Sequence, residues 1–131
     1  MAHKTTIQTD QAPAAIGPYS QGVGFNGLFF FSGQIPIDPE SEELIDGGIE
    51  AQTEQVMANL EAVLEAAGLT FDHVLRTTIF LKNLSDFDTV NGIYAERFDD
   101  TPPARACVEV SRLPKDVLVE IDMIAADPDA D

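Results

Sequence analysis

A chain of 131 residues, 44% of them hydrophobic, is long enough for one packed core and too short for two ordinary domains, so a single domain over residues 1–131 is expected. Seven Lys and Arg stand against 23 Asp and Glu, a formal net charge of −16. A field of that sign repels a phosphate backbone and argues against a nucleic-acid partner. No run approaches the ~18 apolar residues of a membrane span. The start has no apolar core of a signal peptide, and the lone cysteine, Cys107, has no intramolecular partner for a disulfide. The expectation is a cytoplasmic protein without a membrane partner.

Along the chain, residues 4–8 read as a short strand, followed by a Pro- and Gly-marked loop, "QAPAAIGPYSQGVG". "GLFFFSGQIPID" reads as a buried strand that ends at Gly33 and Pro36. A first helix is expected over 49–67. Ile49, Val56, Leu60, Val63, Leu64 and Ala67 recur there at helical spacings, and Gly68 supplies the stop. Gln52, Gln55 and Asn59 lie beside that stripe as boundary or subunit-contact residues. "HVLRTTIFLKN" reads as a strand. A second helix in "LSDFDTVNGIYAERF" is expected to open on a Ser85–Asp88 capping box. Two helices among strands, with a terminal pair of strands, predict an α+β layer, both helices packed on one face of a mixed sheet.

That terminal stretch, "PPARACVEVSRLPKDVLVEIDMIAA" (102–126), reads as a hairpin around "SRLPKD". Alternation places Arg105, Cys107 and Glu109 on one face, and Leu118, Glu120 and Asp122 together on the next strand. If Val110 opposes Val117, Cys107 faces Glu120 and Arg105 faces Asp122, so Arg105, Cys107 and Glu120 form one cluster. The alternative is a solvated sheet face with a surface ion pair. Cysteine is uncommon on such faces, and the Ala and Val of the opposite face suffice for a core, which favours a pocket or an interface. His3, His73 and Cys107 have no metal-ligand spacing, so no metal is expected. "QGVGFNG" lacks the strand-and-helix context of a dinucleotide site.

"APAAIGPYSQ" (12–21), "SGQIP" (32–36), "AAGL" (66–69) and "PPARACVEVSRLPKDVLVEI" (102–121) closely resemble the reactive intermediate deaminase (Rid, YjgF) family, its RidA branch in particular. The resemblance implies a chorismate-mutase-like fold assembling as a homotrimer, with active sites in the clefts between subunits. It implies hydrolysis of 2-imino acids, such as 2-iminopropanoate (2-aminoacrylate) and 2-iminobutanoate, to 2-oxo acids and ammonia, with no cofactor. On the matching positions Arg105 binds the substrate carboxylate, for which a rigid guanidinium fork is suited. Glu120 positions or activates water. Cys107 shapes the pocket and contributes its backbone without acting as a nucleophile. Tyr19 is a pocket wall and hydrogen-bond donor, and Ser32, Gly33 and Asn91 complete the substrate-binding positions.

A ribonuclease or translation inhibitor is a second reading, opposed by the acidic surface. A ligand sensor or holdase without turnover is a third. The acidic residues are spread along the chain rather than gathered in one tail. This suggests a halophilic, salt-adapted surface, with an ordinary acidic cytosolic protein as the rival. A melting curve in KCl separates them: Tm climbs into the molar range if salt relieves carboxylate repulsion, and stays flat otherwise.

Overall fold

The computed structural model describes residues 3–129. Six strands form one sheet: β1 (Thr5–Ile7), β2 (Gly22–Phe25), β3 (Leu28–Gln34), β4 (Val74–Leu81), β5 (Ala104–Glu109) and β6 (Val119–Ala126). Their spatial order is β1-β2-β3-β6-β4-β5. All neighbours pair antiparallel except β4 and β5, which are parallel. Two helices, α1 (Ile49–Ala66) and α2 (Phe87–Ala95), pack on one face, as the apolar periodicity predicts.

The core lies between that face and α1. Val119, Ile121, Met123 and Ala125 alternate inward from β6 and meet Val56, Met57, Leu60, Val63 and Leu64 of α1. Gly68, at φ +76°, ends α1 where the sequence places the stop. The amides beside the apolar stripe tie loops to the helix. Asn59 Nδ2 donates to the carbonyls of Ile35 and Ile37 at 3.2 and 3.0 Å, and Leu118 N donates to Gln52 Oε1 at 2.8 Å. Gln55 Nε2 donates to Asn59 Oδ1 at 2.9 Å.

Three expectations are corrected. The glycine-rich "QGVGFNG" forms β2 and the turn of a β2–β3 hairpin. Asn26 and Gly27 both have positive φ, 52° and 82°, as a two-residue turn matched to strand twist requires. The second helix has no Ser85 capping box. A single 3₁₀ turn, Leu84–Asp86, precedes α2, and Asp86 caps it without a side-chain hydrogen bond. Glu109 Oε1 instead accepts from Leu84 N at 2.8 Å.

The third correction moves the candidate site. Residues 102–126 are not a hairpin, because β4 lies between β5 and β6. Thr77, Ile79 and Leu81 of β4 carry both ladders. Ile79 pairs with Cys107 on one side and Ile121 on the other, and Thr77 pairs with Arg105 and Met123. The parallel ladder runs one residue past β5, with Val110 N donating to Leu81 O at 2.9 Å. The chain then crosses over β4 through a 3₁₀ turn at Pro114–Asp116, where Lys115 and Asp116 both have positive φ. Relative to the expected hairpin the rows are displaced by one residue, which reverses faces. Arg105 and Cys107 therefore share the helix-bearing face with Ile79 and Ile121. Glu120 pairs with Phe80, and Asp122 with Thr78, on the opposite face. Ala104 and Val108, expected inside, are exposed on that second face.

Among the described residues no helix covers the second face. Leu28, Phe30 and Val108 stand on it at 40%, 48% and 41% exposure, with Ile124 beside them. Among the described residues no helix is long and apolar enough to cross a membrane.

Candidate functional site

The predicted residues fall into two groups on opposite faces of the sheet. The first is built around Arg105 at the exposed edge strand β5. Helix α2 runs beside this strand, and Phe87, Asn91 and Tyr94, spaced four and three apart, present one face to it. Arg105 Nη1 donates to Asn91 Oδ1 at 2.7 Å. The guanidinium carbon lies 5.1 Å from the centre of the Tyr94 ring and 5.5 Å from that of Phe87. Among the described residues no carboxylate pairs with it. Its remaining N–H donors are thus free for a ligand.

Cys107 lies two residues on, along the same face. It lines a cavity of about 500 Å³ with Leu84, Ser85, Phe87 and Asp88. Burial pushes its thiol pKa up, and the charge of Arg105 only partly offsets this. A thiol raised above its usual range is largely protonated around neutrality and a poor nucleophile. On the other side of Arg105, a second cavity of about 510 Å³ is lined by Asn91, Tyr94, Phe98 and Pro102 among others.

The second group surrounds Glu120 on the open face. The β3–β6 pairing slips between Phe31 and Gln34, so that Ser32 and Gly33 together oppose Asp122. Such a bulge bends the strand and re-aims what it carries. The Glu120 carboxylate lies against the Gly33 backbone, and a β-carbon at Gly33 would collide with it. Glycine is therefore a steric requirement for this placement. Ser32 Oγ donates to Ser20 O at 2.6 Å, and Ser32 N donates to Gln21 O at 3.0 Å. These bonds bring the loop bearing Tyr19 to the bulge. Tyr19 is 53% exposed, and its hydroxyl accepts from Ile16 N at 3.3 Å.

Burial raises the Glu120 pKa, and the like charge of Asp122 adds to the effect. Asp122 is raised by burial too, though hydrogen bonds from Thr78 and the charge of Arg76 pull it back. A carboxylate held above its usual range is a stronger base once ionised.

Gly33, Ser32 and Glu120 thus converge, as do Arg105, Asn91 and Cys107. The two sets do not meet within one chain. Phe87 and Tyr94 are not among the site residues expected from the sequence. Their signal was the 87/91/94 spacing, which places them on the same helix face as Asn91. Among the described residues no three His, Cys, Asp or Glu side chains converge as a metal site.

The endoribonuclease L-PSP family model matches residues 9–127. The chain is 50% identical over 123 residues to the 2-iminobutanoate/2-iminopropanoate deaminase of Escherichia coli, covering 92% of this chain and 95% of the relative. It is similar to the crystal structure of RidA from an Antarctic Psychrobacter, with a TM-score of 0.90 at 44% identity, covering 94% of this chain and 99% of that one. It is also similar to that of E. coli TdcF with bound serine, with a TM-score of 0.89 at 42% identity, covering 94% and 98%.

The Glu120 environment has a measurable consequence. A raised carboxyl pKa means that the folded state is stabilised by the proton below the ordinary carboxylate range. That stability is lost as pH rises through the folded-state value. Glu120→Gln carries no such liability. It should melt above the wild type at neutral pH and beyond, and the difference should vanish near pH ~4. Thermal melts of both proteins across pH check this.

Proposed function

The chain belongs to the endoribonuclease L-PSP family, the YjgF/Rid proteins, and on that footing we propose that it hydrolyses small reactive 2-imino acids to 2-oxo acids and ammonia. The observation that carries this reading is Arg105. In a chain with 23 acidic and seven basic residues, one guanidinium is held by Asn91 and two aromatic rings, and no acid pairs with it among the described residues. A preorganised, unpaired fork of this kind suits a small carboxylate. The E. coli deaminase at 50% identity supplies the matching chemistry.

In the proposed reaction Arg105 anchors the carboxylate of the imino acid; an enamine substrate first tautomerises to the imine. Water adds to the C=N carbon while the Glu120 carboxylate accepts its proton. That proton passes to nitrogen to give the carbinolamine; its hydroxyl proton is then relayed through Glu120 to the amine, and C=O forms as the C–N bond breaks to release ammonia. Each step is proton transfer or addition to a polarised carbon, so acid–base groups and an anion site are sufficient, and no cofactor is called for. Ser32, Gly33 and Tyr19 bound the water side, and Asn91 and Cys107 the carboxylate side.

The two half-sites lie on opposite faces of the sheet, so we place the complete site between copies. Arg105, Asn91 and Cys107 of one chain face Glu120, Gly33, Ser32 and Tyr19 of another. A homotrimer with three such clefts closes the symmetry and covers the apolar patch of Leu28, Phe30 and Val108. A cytoplasmic location would fit an unstable substrate used where it is made.

The test generates 2-aminoacrylate in situ from serine with a dehydratase and follows pyruvate release, in low and molar KCl. The wild type should accelerate release. Arg105→Ala should lose roughly 30- to several-thousand-fold, the cost of about 2–5 kcal/mol for a lost buried charge contact. Arg105→Lys should recover little, because an ammonium lacks the fork. Stabilisation by pyruvate without turnover would instead favour a sensor, and near-normal turnover by folded Arg105→Ala would defeat the assignment.

A further inference from the structure

Tyr94 is 4% exposed and at first sight a core residue of α2, in contact with Phe98 at 4.7 Å between ring centres. Two features set it apart. Its hydroxyl lies 2.6 Å from Thr77 Oγ1, a bond buried between α2 and β4. Thr77 is itself the register partner of Arg105 on the parallel ladder. The ring then stands 5.1 Å from the guanidinium carbon of that same arginine, within cation–π range. The contacts close a circuit. The β4–β5 ladder joins Arg105 to Thr77, Thr77 holds the Tyr94 hydroxyl, and the Tyr94 ring supports the Arg105 head. Phe87 and Asn91, on the same helix face, restrict it further.

We propose that Tyr94 is a positioning residue for Arg105, its buried bond to Thr77 setting the ring against which the guanidinium is oriented toward a bound carboxylate. The inference rests on the reading of Arg105 as the carboxylate anchor. An arginine at an exposed strand edge samples many rotamers, and each one frozen in advance removes an ordering cost from ligand binding. Hydrogen bonding to Asn91 fixes one nitrogen but leaves the plane of the fork free to rotate. A ring face on which that plane rests supplies the missing restraint. The hydroxyl matters because it fixes the ring: without Thr77 the ring keeps its packing but loses its anchor at the buried end.

The test uses Tyr94→Leu, Tyr94→Phe and, because the first removes a buried ring, Phe87→Leu, which removes the other ring without touching the Thr77 bond. Tyr94→Leu should raise KM for the imino acid about 5- to 30-fold, with kcat changed by no more than about threefold, as expected for a lost binding contact. Tyr94→Phe should raise KM less, and Phe87→Leu by about 2- to 5-fold, as befits the more distant ring. In the Arg105→Ala background Tyr94→Leu should add no further loss, since the two act as one unit. A purely structural role would give losses that multiply in that background and follow Tm, and this would overturn the proposal.

A readout independent of turnover separates this inference from the deaminase reading. ¹⁵N relaxation of the Arg105 Nε–H should show an ordered side chain in wild type and a mobile one in Tyr94→Leu, with the β5 amides unchanged. Equal order in the two proteins would overturn the proposal even if the wild type hydrolyses imines. Conversely, a wild type that hydrolyses none, with the change in order intact, would refute only the deaminase reading.

Discussion

The placement of β4 between β5 and β6 is the constraint on which the candidate chemistry depends. The strand's helix-side residues Val74, Ile79 and Leu81 lie in the core, it is hydrogen-bonded on both edges, and its β-branched residues suit such a position. One row, Arg105–Thr77–Met123, points toward the helices; the next, Ala106–Thr78–Asp122, points away. Strand alternation does the rest. The cation that would hold a substrate and the carboxylate that would move its protons are assigned to opposite faces of one sheet. Neither face alone offers a complete site. The apolar surface left on the Glu120 face is consistent with a molecule that finishes its site by association.

Electrostatics sharpen the role of Arg105. A chain of net charge −16 repels an anionic ligand at long range. At ordinary ionic strength, though, surface charges more than about 8–10 Å away are largely screened. The local field near the guanidinium is then set by what touches it: an amide oxygen and two aromatic faces rather than a carboxylate. Among the described residues no acid pairs with Arg105, which in so acidic a sequence leaves its remaining donors open to an anion. The carboxylate half works the other way. Burial and a like neighbour raise Glu120, so the same environment that costs stability at high pH strengthens the base.

Much of this was legible in the chain. The 3.6-residue stripe of α1 with its glycine stop and the alternation of β6 reappear in place, because each is a local pattern with one dominant face, whereas β3, expected as a buried strand, exposes Leu28 and Phe30 on the open face. The candidate site residues are proposed on motif resemblance alone. What sequence spacing could not provide was strand order. Two apolar strands joined by a six-residue loop read as a hairpin by proximity, and nothing local tells the chain to cross over an intervening strand. Lys115 and Asp116, at positive φ without being glycine, are where that crossover turns, and their residue types give little warning. The β2–β3 turn was a different failure, since Asn26-Gly27 is a strong hairpin signal at the junction of a stretch read as loop and one read as strand. Phe87 and Tyr94 gave no separate signal, because an aromatic ring that supports a cation has the same periodicity as one that fills a core.

In the proposed assembly, one chain supplies Arg105 and another supplies Glu120 to each site. The most direct measurement mixes two inactive proteins, Arg105→Ala and Glu120→Gln, unfolds and refolds them together, and assays imine hydrolysis. If the site lies between copies, some clefts in the mixed assemblies pair an intact Arg105 with an intact Glu120. Random assortment should then restore about a quarter of the wild-type activity. If both residues serve a site within one chain, every site lacks one of them. Refolded mixtures no more active than the separate variants would contradict the account.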